Sequence, residues 1–122
     1  EKELYRLLDD TFALNPQIPD ALMIKQQYQL QNKQYQASLL TARQIYDKFP
    51  ERGIAEQLEA NTYFLSGKIE LALEYYHKAY DKQADAQLAI KIANTMIRLG
   101  SIDDGIHFLE KQLADQTIEH YP

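Results

Sequence analysis

The segment ANTYFLSGKIE, residues 60–70, returns as ANTMIRLGSID at residues 93–103, thirty-three positions further along the chain. Both copies begin with Ala-Asn-Thr, place a glycine after four variable residues, and place an isoleucine two positions after that glycine. Self-similarity with a period of roughly 20 to 50 residues is typical of solenoids and other repeat arrays. The chain is therefore expected to be an array of one repeated structural unit.

Composition and charge narrow the classes of function. The 122 residues are 45% apolar and 25% charged, as in an ordinary single domain with a buried core. The formal charge of -5, without a dense run of lysine or arginine, argues against nucleic acid or an anionic membrane surface as the partner. The chain has no cysteine, which excludes a disulfide framework and a thiolate metal site.

The ends of the chain and its hydropathy bear on membrane association. No apolar run approaches the roughly 18 to 20 residues that a membrane-spanning helix needs, so we expect no direct membrane insertion. The chain opens with EKELYRLL, without an initiating methionine or a signal-peptide pattern. We therefore expect it to be a piece of a longer protein, and the compartment stays open.

The spacing of apolar residues predicts helices throughout. Only four glycines and four prolines interrupt the chain, and the apolar residues between them recur at steps of three and four. Prolines suit the first turn of a helix and disrupt its interior, so Pro16, Pro19 and Pro50 mark helix boundaries. The prediction is an all-α chain of seven helices: one before residue 15, four at about 20–32, 34–48, 51–65 and 69–81, and one on each side of Gly100.

The helix boundaries recur with nearly one period. Pro16 and Pro50 are 34 residues apart, Ala84 lies 34 further on, and Gly67 and Gly100 are separated by 33. Isolated helices of about 12 to 15 residues are marginal in water, so stacking of units must stabilise them. We expect a single domain over 1–122, made of a half unit at 1–16 and three helix-turn-helix units at 17–50, 51–84 and 85–118.

The repeated alanines and glycines have a structural explanation. We expect Ala60 and Ala93 to lie where the two helices of a unit cross closely, because only a small side chain fits there. Gly67 and Gly100 would end the first helix of each unit in a left-handed conformation, which costs glycine little. In the first unit, Asn32 or Lys33 replaces this glycine. Two frames stay open for that unit, one suggested by Tyr28 with Ala37 and one by Tyr35 with Ser38.

The recurring residues resemble the tetratricopeptide repeat (TPR) family. The resemblance extends over nearly the whole chain and implies a right-handed α-solenoid of antiparallel helix pairs with a concave groove. Ala84 departs from the proline that the family commonly has at the end of a unit. The matching residues are small at Ala60, Ala93, Ala72 and Gly105, glycine at Gly67 and Gly100, and large at Tyr63, Met96, Tyr76 and Leu109.

In the TPR family the first helix of each unit lines the groove, which implies a set of binding residues here. Gln27, Asn61 and Asn94 would form a ladder of amides that pairs with the backbone of an extended peptide, while apolar neighbours take its side chains. The family's carboxylate clamp is matched at too few basic positions to predict that specificity. The implied groove residues are Gln27, Gln57, Asn61, Phe64, Leu65, Ile90, Lys91, Asn94, Ile97 and Arg98.

An alternative reading of the same residues stays open. Asn61 and Asn94 would recur because they satisfy neighbouring backbone groups, and the apolar groove residues would bury the next helix of a longer solenoid. His77, His107 and His120 occupy unrelated positions, so no metal site is expected. No catalytic motif is present, and neither an enzymatic activity nor a cofactor is expected.

The resemblance implies a non-catalytic scaffold that binds a protein or peptide, and the alternative is a self-association module that forms a homo-oligomer. A narrower likeness concerns residues 67–113, which look like the later repeats of bacterial TPR lipoproteins linked to exosortase (PEP-CTERM) and exopolysaccharide systems. That likeness implies a role in envelope or exopolysaccharide assembly and a periplasmic or outer-membrane-anchored location. Without it, the expected location is cytoplasmic.

Overall fold

A computed structural model describes residues 1–120 of the chain, and the side chains of residues 1–115. The fold is a right-handed α-solenoid of antiparallel helix pairs, and residues 1–120 contain no strand. Each helix packs mainly against its neighbours in sequence. The helices are α1 (Lys2–Leu14), α2 (Asp20–Gln31), α3 (Tyr35–Lys48), α4 (Ile54–Leu65), α5 (Ile69–Lys82), α6 (Ala86–Arg98) and α7 (Ile102–His120).

The predicted helices match the observed ones closely, and the largest difference is the start of α4. The prediction began this helix near Glu51, whereas it begins at Ile54. Gly53 precedes it with a φ of 76°, and a Cβ at Gly53 would lie 3.0 Å from the Ala79 carbonyl oxygen. Residues 50–53 therefore form a turn packed against α5. The unit boundaries at 16, 50 and 84 stay predictions.

The turns that close α2, α4 and α6 share one backbone geometry. A residue with positive φ occupies each turn: Lys33 at 60°, Gly67 at 88° and Gly100 at 88°. The next residue's amide donates to the carbonyl five positions back, at 2.8 Å, 2.8 Å and 2.9 Å respectively. This is the hydrogen bond of a Schellman cap. Lys33 therefore stands in for the glycine of the first unit, and the frame that contains Ser38 is the one that applies.

Replacing Lys33 by glycine is expected to stabilise the protein by about 1 kcal/mol, because a side chain in the left-handed region is strained. The measurement is the free energy of unfolding by urea denaturation. Lys68→Gly is the matched control, since Lys68 has a φ of -92° and gains nothing from losing its side chain. A destabilised Lys33→Gly variant would contradict this explanation of the turn.

The apolar core consists of two clusters along the solenoid. The second cluster contains Ala60, which is fully buried, and Ala93, one unit further along, is also buried. A Cβ at Gly105 would lie 3.2 Å from the Ala93 carbonyl oxygen, so α6 and α7 approach closely there. The prediction that Ala60 and Ala93 occupy tight positions is confirmed. The first cluster contains Leu22, Ala42, Ile45, Ala55 and Leu58, and the second contains Ala60, Ala72, Tyr76, Ala79, Leu88 and Ile92.

A buried polar network lies between α2, α3 and α4. Gln26 precedes Ala60 by one period but carries a full amide side chain, which is completely buried. Its Nε2 donates to Ser38 Oγ at 2.7 Å and to Thr62 Oγ1 at 3.2 Å, and the two hydroxyls are 2.8 Å apart. Small hydroxyl side chains thus make room for the amide and satisfy its donors. This substitution explains why the first unit matches the TPR pattern poorly.

Candidate functional site

Two side-chain pairs connect α4 with α6. Lys91 Nζ donates to Asn61 Oδ1 at 3.4 Å, and the Arg98 guanidinium carbon lies 5.2 Å from the centroid of the Phe64 ring. Each pair joins one residue of α4 to one residue of α6. These four residues therefore share one surface, which we call the α4–α6 face.

Asn61 is also tied to the second helix of its own unit. The Tyr76 hydroxyl donates to Asn61 Oδ1 at 2.5 Å. Tyr76 is only 4% exposed, and burial raises its pKa to about 12. The amide oxygen of Asn61 is thus engaged by Tyr76 and Lys91. What remains for a binding partner is the amide nitrogen of Asn61.

Truncating Asn61 is expected to destabilise the fold by about 1 to 3 kcal/mol, because the buried Tyr76 hydroxyl loses its acceptor. In the Asn61→Ala background, Tyr76→Phe should recover part of this loss, since it removes the unsatisfied donor. Urea denaturation of both single variants and the double variant gives the coupling energy. Additive effects of the two substitutions would show that the hydrogen bond contributes nothing to stability.

The three amides of the predicted ladder occupy equivalent positions but differ in their surroundings. Gln27 and Asn94 are exposed, whereas Asn61 is half-buried. Among the hydrogen bonds of residues 1–115, none links the three amides to one another. Asn61 is therefore engaged by the side chains of Tyr76 and Lys91 and not by the backbone groups of the alternative interpretation, while Gln27 and Asn94 keep their amides exposed.

The two cations of the α4–α6 face lack carboxylate partners. Lys91 is half-buried, and its burial lowers the pKa of the ammonium, although Asp85 partly opposes this. Within residues 1–115, neither Lys91 nor Arg98 lies within ion-pair distance of a carboxylate. The face therefore carries two cations that form no ion pair with the described side chains.

The predicted apolar groove residues are largely open to solvent. Ile90 is 60% exposed, Leu65 is 57% exposed and Ile97 is 44% exposed. Ile97 additionally packs towards α7, since its Cγ1 would be 3.2 Å from a Cβ placed on Gly105. Gln57 is half-buried and lines a small cavity of about 50 Å³ between the start of α4, the end of α5 and the start of α6. These residues lie on the same two helices as the α4–α6 face, and they do not all line one pocket.

The structure also locates two of the three histidines, for which no metal site was expected. The His77 ring packs edge-on against Phe108 at 5.7 Å, and His107 is exposed beside Glu110. The side chain of His120 lies outside the described residues. In the described part of the chain no three potential metal ligands cluster, and no helix has the length and apolarity to span a membrane.

The sequence did not indicate two features of the molecule. It suggested packing roles for Tyr76 and did not identify its hydrogen bond to Asn61, although both lie on adjoining helices of one unit. It also did not identify a charged cavity beside Glu56 and Glu59, which are both buried on α4. The sequence does carry a signal for this cavity: Glu56 and Glu59 are three residues apart, and residues three apart lie on the same face of a helix.

The fold is similar to that of solved MamA structures. The structure titled "MamA 41-end from Desulfovibrio magneticus RS-1" has a TM-score of 0.73 at 18% identity, over 96% of this chain and 67% of that chain. The "MamA RS-1 ArsTM double mutant" gives 0.72 at 18% identity, over 97% and 67%. "MamA MSR-1 C2" gives 0.65 at 13% identity, over 93% and 67%.

The sequence comparisons give no match. No protein-family model matches the chain, and no curated protein matches it in sequence. At sequence identities of 18% and below, the structural similarity shows a shared fold alone. Together with the shared turns and the buried Ala60 and Ala93, it identifies the chain as a TPR-like α-solenoid that resembles MamA in architecture.

Proposed function

We propose that this chain is a non-catalytic scaffold that binds an extended segment of a partner protein along the α4–α6 face. The observation that carries the proposal is the joining of Asn61, Phe64, Lys91 and Arg98 on one surface. Exposed apolar side chains, among them Ile90, adjoin this surface. Apolar surface beside a few fixed polar groups is the usual composition of a peptide-binding site.

The charges of the face select the class of partner. Because Lys91 is partly desolvated and Arg98 lies on the Phe64 ring, both cations are held in place before a partner arrives. An acidic side chain would pair with either cation and relieve the cost of burying Lys91. Exposed amides at Gln27 and Asn94 would bond the partner's backbone. The favoured partner is therefore an acidic extended segment.

A selection from a random peptide library displayed on phage tests this function, with the protein itself as bait. We expect enriched peptides to carry Asp or Glu next to apolar residues. The Lys91→Met/Arg98→Met variant should bind them at least about 10-fold more weakly, equivalent to about 1.4 kcal/mol. The Arg52→Met/Lys68→Met variant, which removes two exposed cations elsewhere, should bind them normally. Failure to enrich any peptide, or equal loss in both variants, would contradict the proposal.

Self-association is a second candidate function, favoured by an apolar cavity between α1 and α2. The cavity has a volume of about 320 Å³, and Leu8, Phe12 and Ile18 line it. Leu14, on its rim, is 87% exposed. Exposed apolar surface of this kind promotes association between copies of a chain.

Sedimentation velocity across protein concentrations tests this second function. We expect dimers at high concentration for the wild type and a monomer for Ile18→Asp, because the charge would be buried at the contact. A wild type that stays monomeric at all concentrations would contradict self-association.

The wider biological setting is a further part of the proposal. The likeness of residues 67–113 to repeats of bacterial exosortase-linked lipoproteins supports a role in envelope or exopolysaccharide assembly. Fractionation of cells that express the tagged full-length protein tests it. We expect the protein in the periplasmic or outer-membrane fraction, and recovery from the cytoplasm alone would contradict this setting.

A further inference from the structure

A cavity of about 500 Å³ lies between α3, α4 and α5. It is separate from the proposed peptide-binding surface, because none of the ten predicted groove residues lines it. Arg43 and Tyr46 of α3 form one side, Tyr75 and Lys78 of α5 form another, and Glu59 of α4 lies between them. Glu56, Asp81 and Lys82 complete the lining, so two aromatic rings, three carboxylates and three cations face the same space.

Glu59 is a buried carboxylate without a hydrogen-bonding partner. The residue is only 7% exposed, yet it lines the cavity. No side chain among residues 1–115 donates a hydrogen bond to it or forms an ion pair with it. Burial raises the pKa of the Glu59 carboxyl, and the nearby charge of Arg43 only partly opposes this. Because burial disfavours the charged form, a donor brought by a ligand would stabilise the ionised carboxylate.

The neighbouring carboxylate is satisfied only in part. One oxygen of Glu56 pairs with Lys82, whereas Oε1 is buried and accepts no hydrogen bond. Lys82 also donates to the Pro50 carbonyl oxygen at 2.6 Å and lies 4.9 Å from the centroid of the Tyr46 ring. Its ammonium is therefore fully engaged by these groups and does not reach Glu59.

The two remaining cations of the cavity, Arg43 and Lys78, form no ion pair with Glu59. Lys78 Nζ lies 4.4 Å from the centroid of the Tyr75 ring, and Arg43 is exposed. They share the exposed rim of the cavity with Asp81, above the buried Glu56 and Glu59. This arrangement suits a ligand with one cationic group that also carries acceptors next to it, because the cavity presents both carboxylates and cations.

We propose that this cavity binds one organic cation, an ammonium or a guanidinium group, against the Glu59 carboxylate. The cation donates hydrogen bonds to Glu59, which no lysine or arginine side chain of residues 1–115 bonds. Acceptors on the ligand meet Arg43 and Lys78 at the rim. The cation is either the side chain of an arginine or lysine in a protein or a free small molecule, and both present the same group to Glu59.

Chemical-shift titration of the ¹⁵N-labelled protein tests the site, with methylguanidinium and n-butylammonium as cationic probes. Methylurea, the neutral counterpart of methylguanidinium, is the control ligand. We expect both cations to shift amides of α4 and α5 around Glu59 in a saturable way, and methylurea to shift none. Cations that act no more strongly than methylurea would overturn the proposal.

A matched pair of variants assigns any binding to the buried carboxylate. Glu59→Gln should weaken binding of methylguanidinium at least 10-fold, as expected when a charged partner becomes neutral, and a spectrum of folded protein confirms that the variant is intact. Glu74→Gln, at an exposed glutamate of α5, should bind like the wild type. Equal affinity of Glu59→Gln and wild type would overturn the assignment.

Two further probes distinguish the source of the cation. N-acetyl-L-arginine amide imitates an arginine within a protein chain, whereas L-arginine carries the free carboxylate that the rim would bind. Tighter binding of the amide supports a protein side chain, and tighter binding of free arginine supports a small-molecule ligand. If neither shifts the amides around Glu59, the proposed site is wrong.

Discussion

Ile92→Ala is expected to lower the free energy of unfolding by about 2 to 5 kcal/mol. Ile92 is fully buried and belongs to the cluster that joins α4 and α5 to α6. Its truncation removes apolar contacts and leaves a cavity at the junction of two units. Because small domains are stable by only about 5 to 15 kcal/mol, this is a large fraction of the total. Urea denaturation followed by circular dichroism measures the loss.

Ile90→Ala is the matched control for this prediction. It removes the same atoms from the same helix two residues away, at a side chain that is 60% exposed. We expect its free energy of unfolding to change by at most about 0.5 kcal/mol. In peptide binding the order should reverse, with Ile90→Ala the weaker binder. Similar stability losses in the two variants would show that α6 does not pack as described.

Ala60→Leu is expected to destabilise the protein by about 1 to 3 kcal/mol, because the added atoms have no room. Ala60 is fully buried in the same cluster, at the place where the repeat requires a small residue. Larger side chains must push α4 away from its neighbours or adopt strained rotamers. The measurement is again the free energy of unfolding.

The control for this variant is Ala114→Leu, at an exposed position of α7. Both substitutions put the same residue into a helix, so the difference between them isolates the effect of packing. We expect the control to remain within about 0.5 kcal/mol of the wild type. An Ala60→Leu variant as stable as the wild type would mean that the alanine position is not tightly packed.

Much of the fold follows from local features of the sequence. Prolines and glycines mark helix ends for reasons that act within a few residues, so seven helices could be placed in advance within residues 1–120. The recurrence of Ala60 and Ala93 predicted tight packing, and both are buried. The start of α4 was misplaced because Gly53 adopts a turn set by its contact with α5, which is not local.

The features that were not predicted depend on contacts between helices. Gln26 and Glu59 are polar, and polar side chains are ordinarily expected at the surface. The burial of Gln26 depends on the space left by Ser38 and Thr62, and that of Glu59 depends on how α3 and α5 pack around α4. Asn61 was identified as a binding residue by its position. Its hydrogen bond to Tyr76 required knowledge of how α4 and α5 pack.

Photo-crosslinking tests the central claim most directly, namely that a partner segment lies along the α4–α6 face. A benzophenone amino acid is placed at Asn94, which is exposed on α6, and in a separate protein at Glu74, which is exposed on α5. A peptide enriched in the library selection is then added and irradiated. Our account predicts a crosslink from position 94 that excess unlabelled peptide abolishes, and none from position 74. Crosslinking from position 74 alone, or equally from both positions, would contradict it.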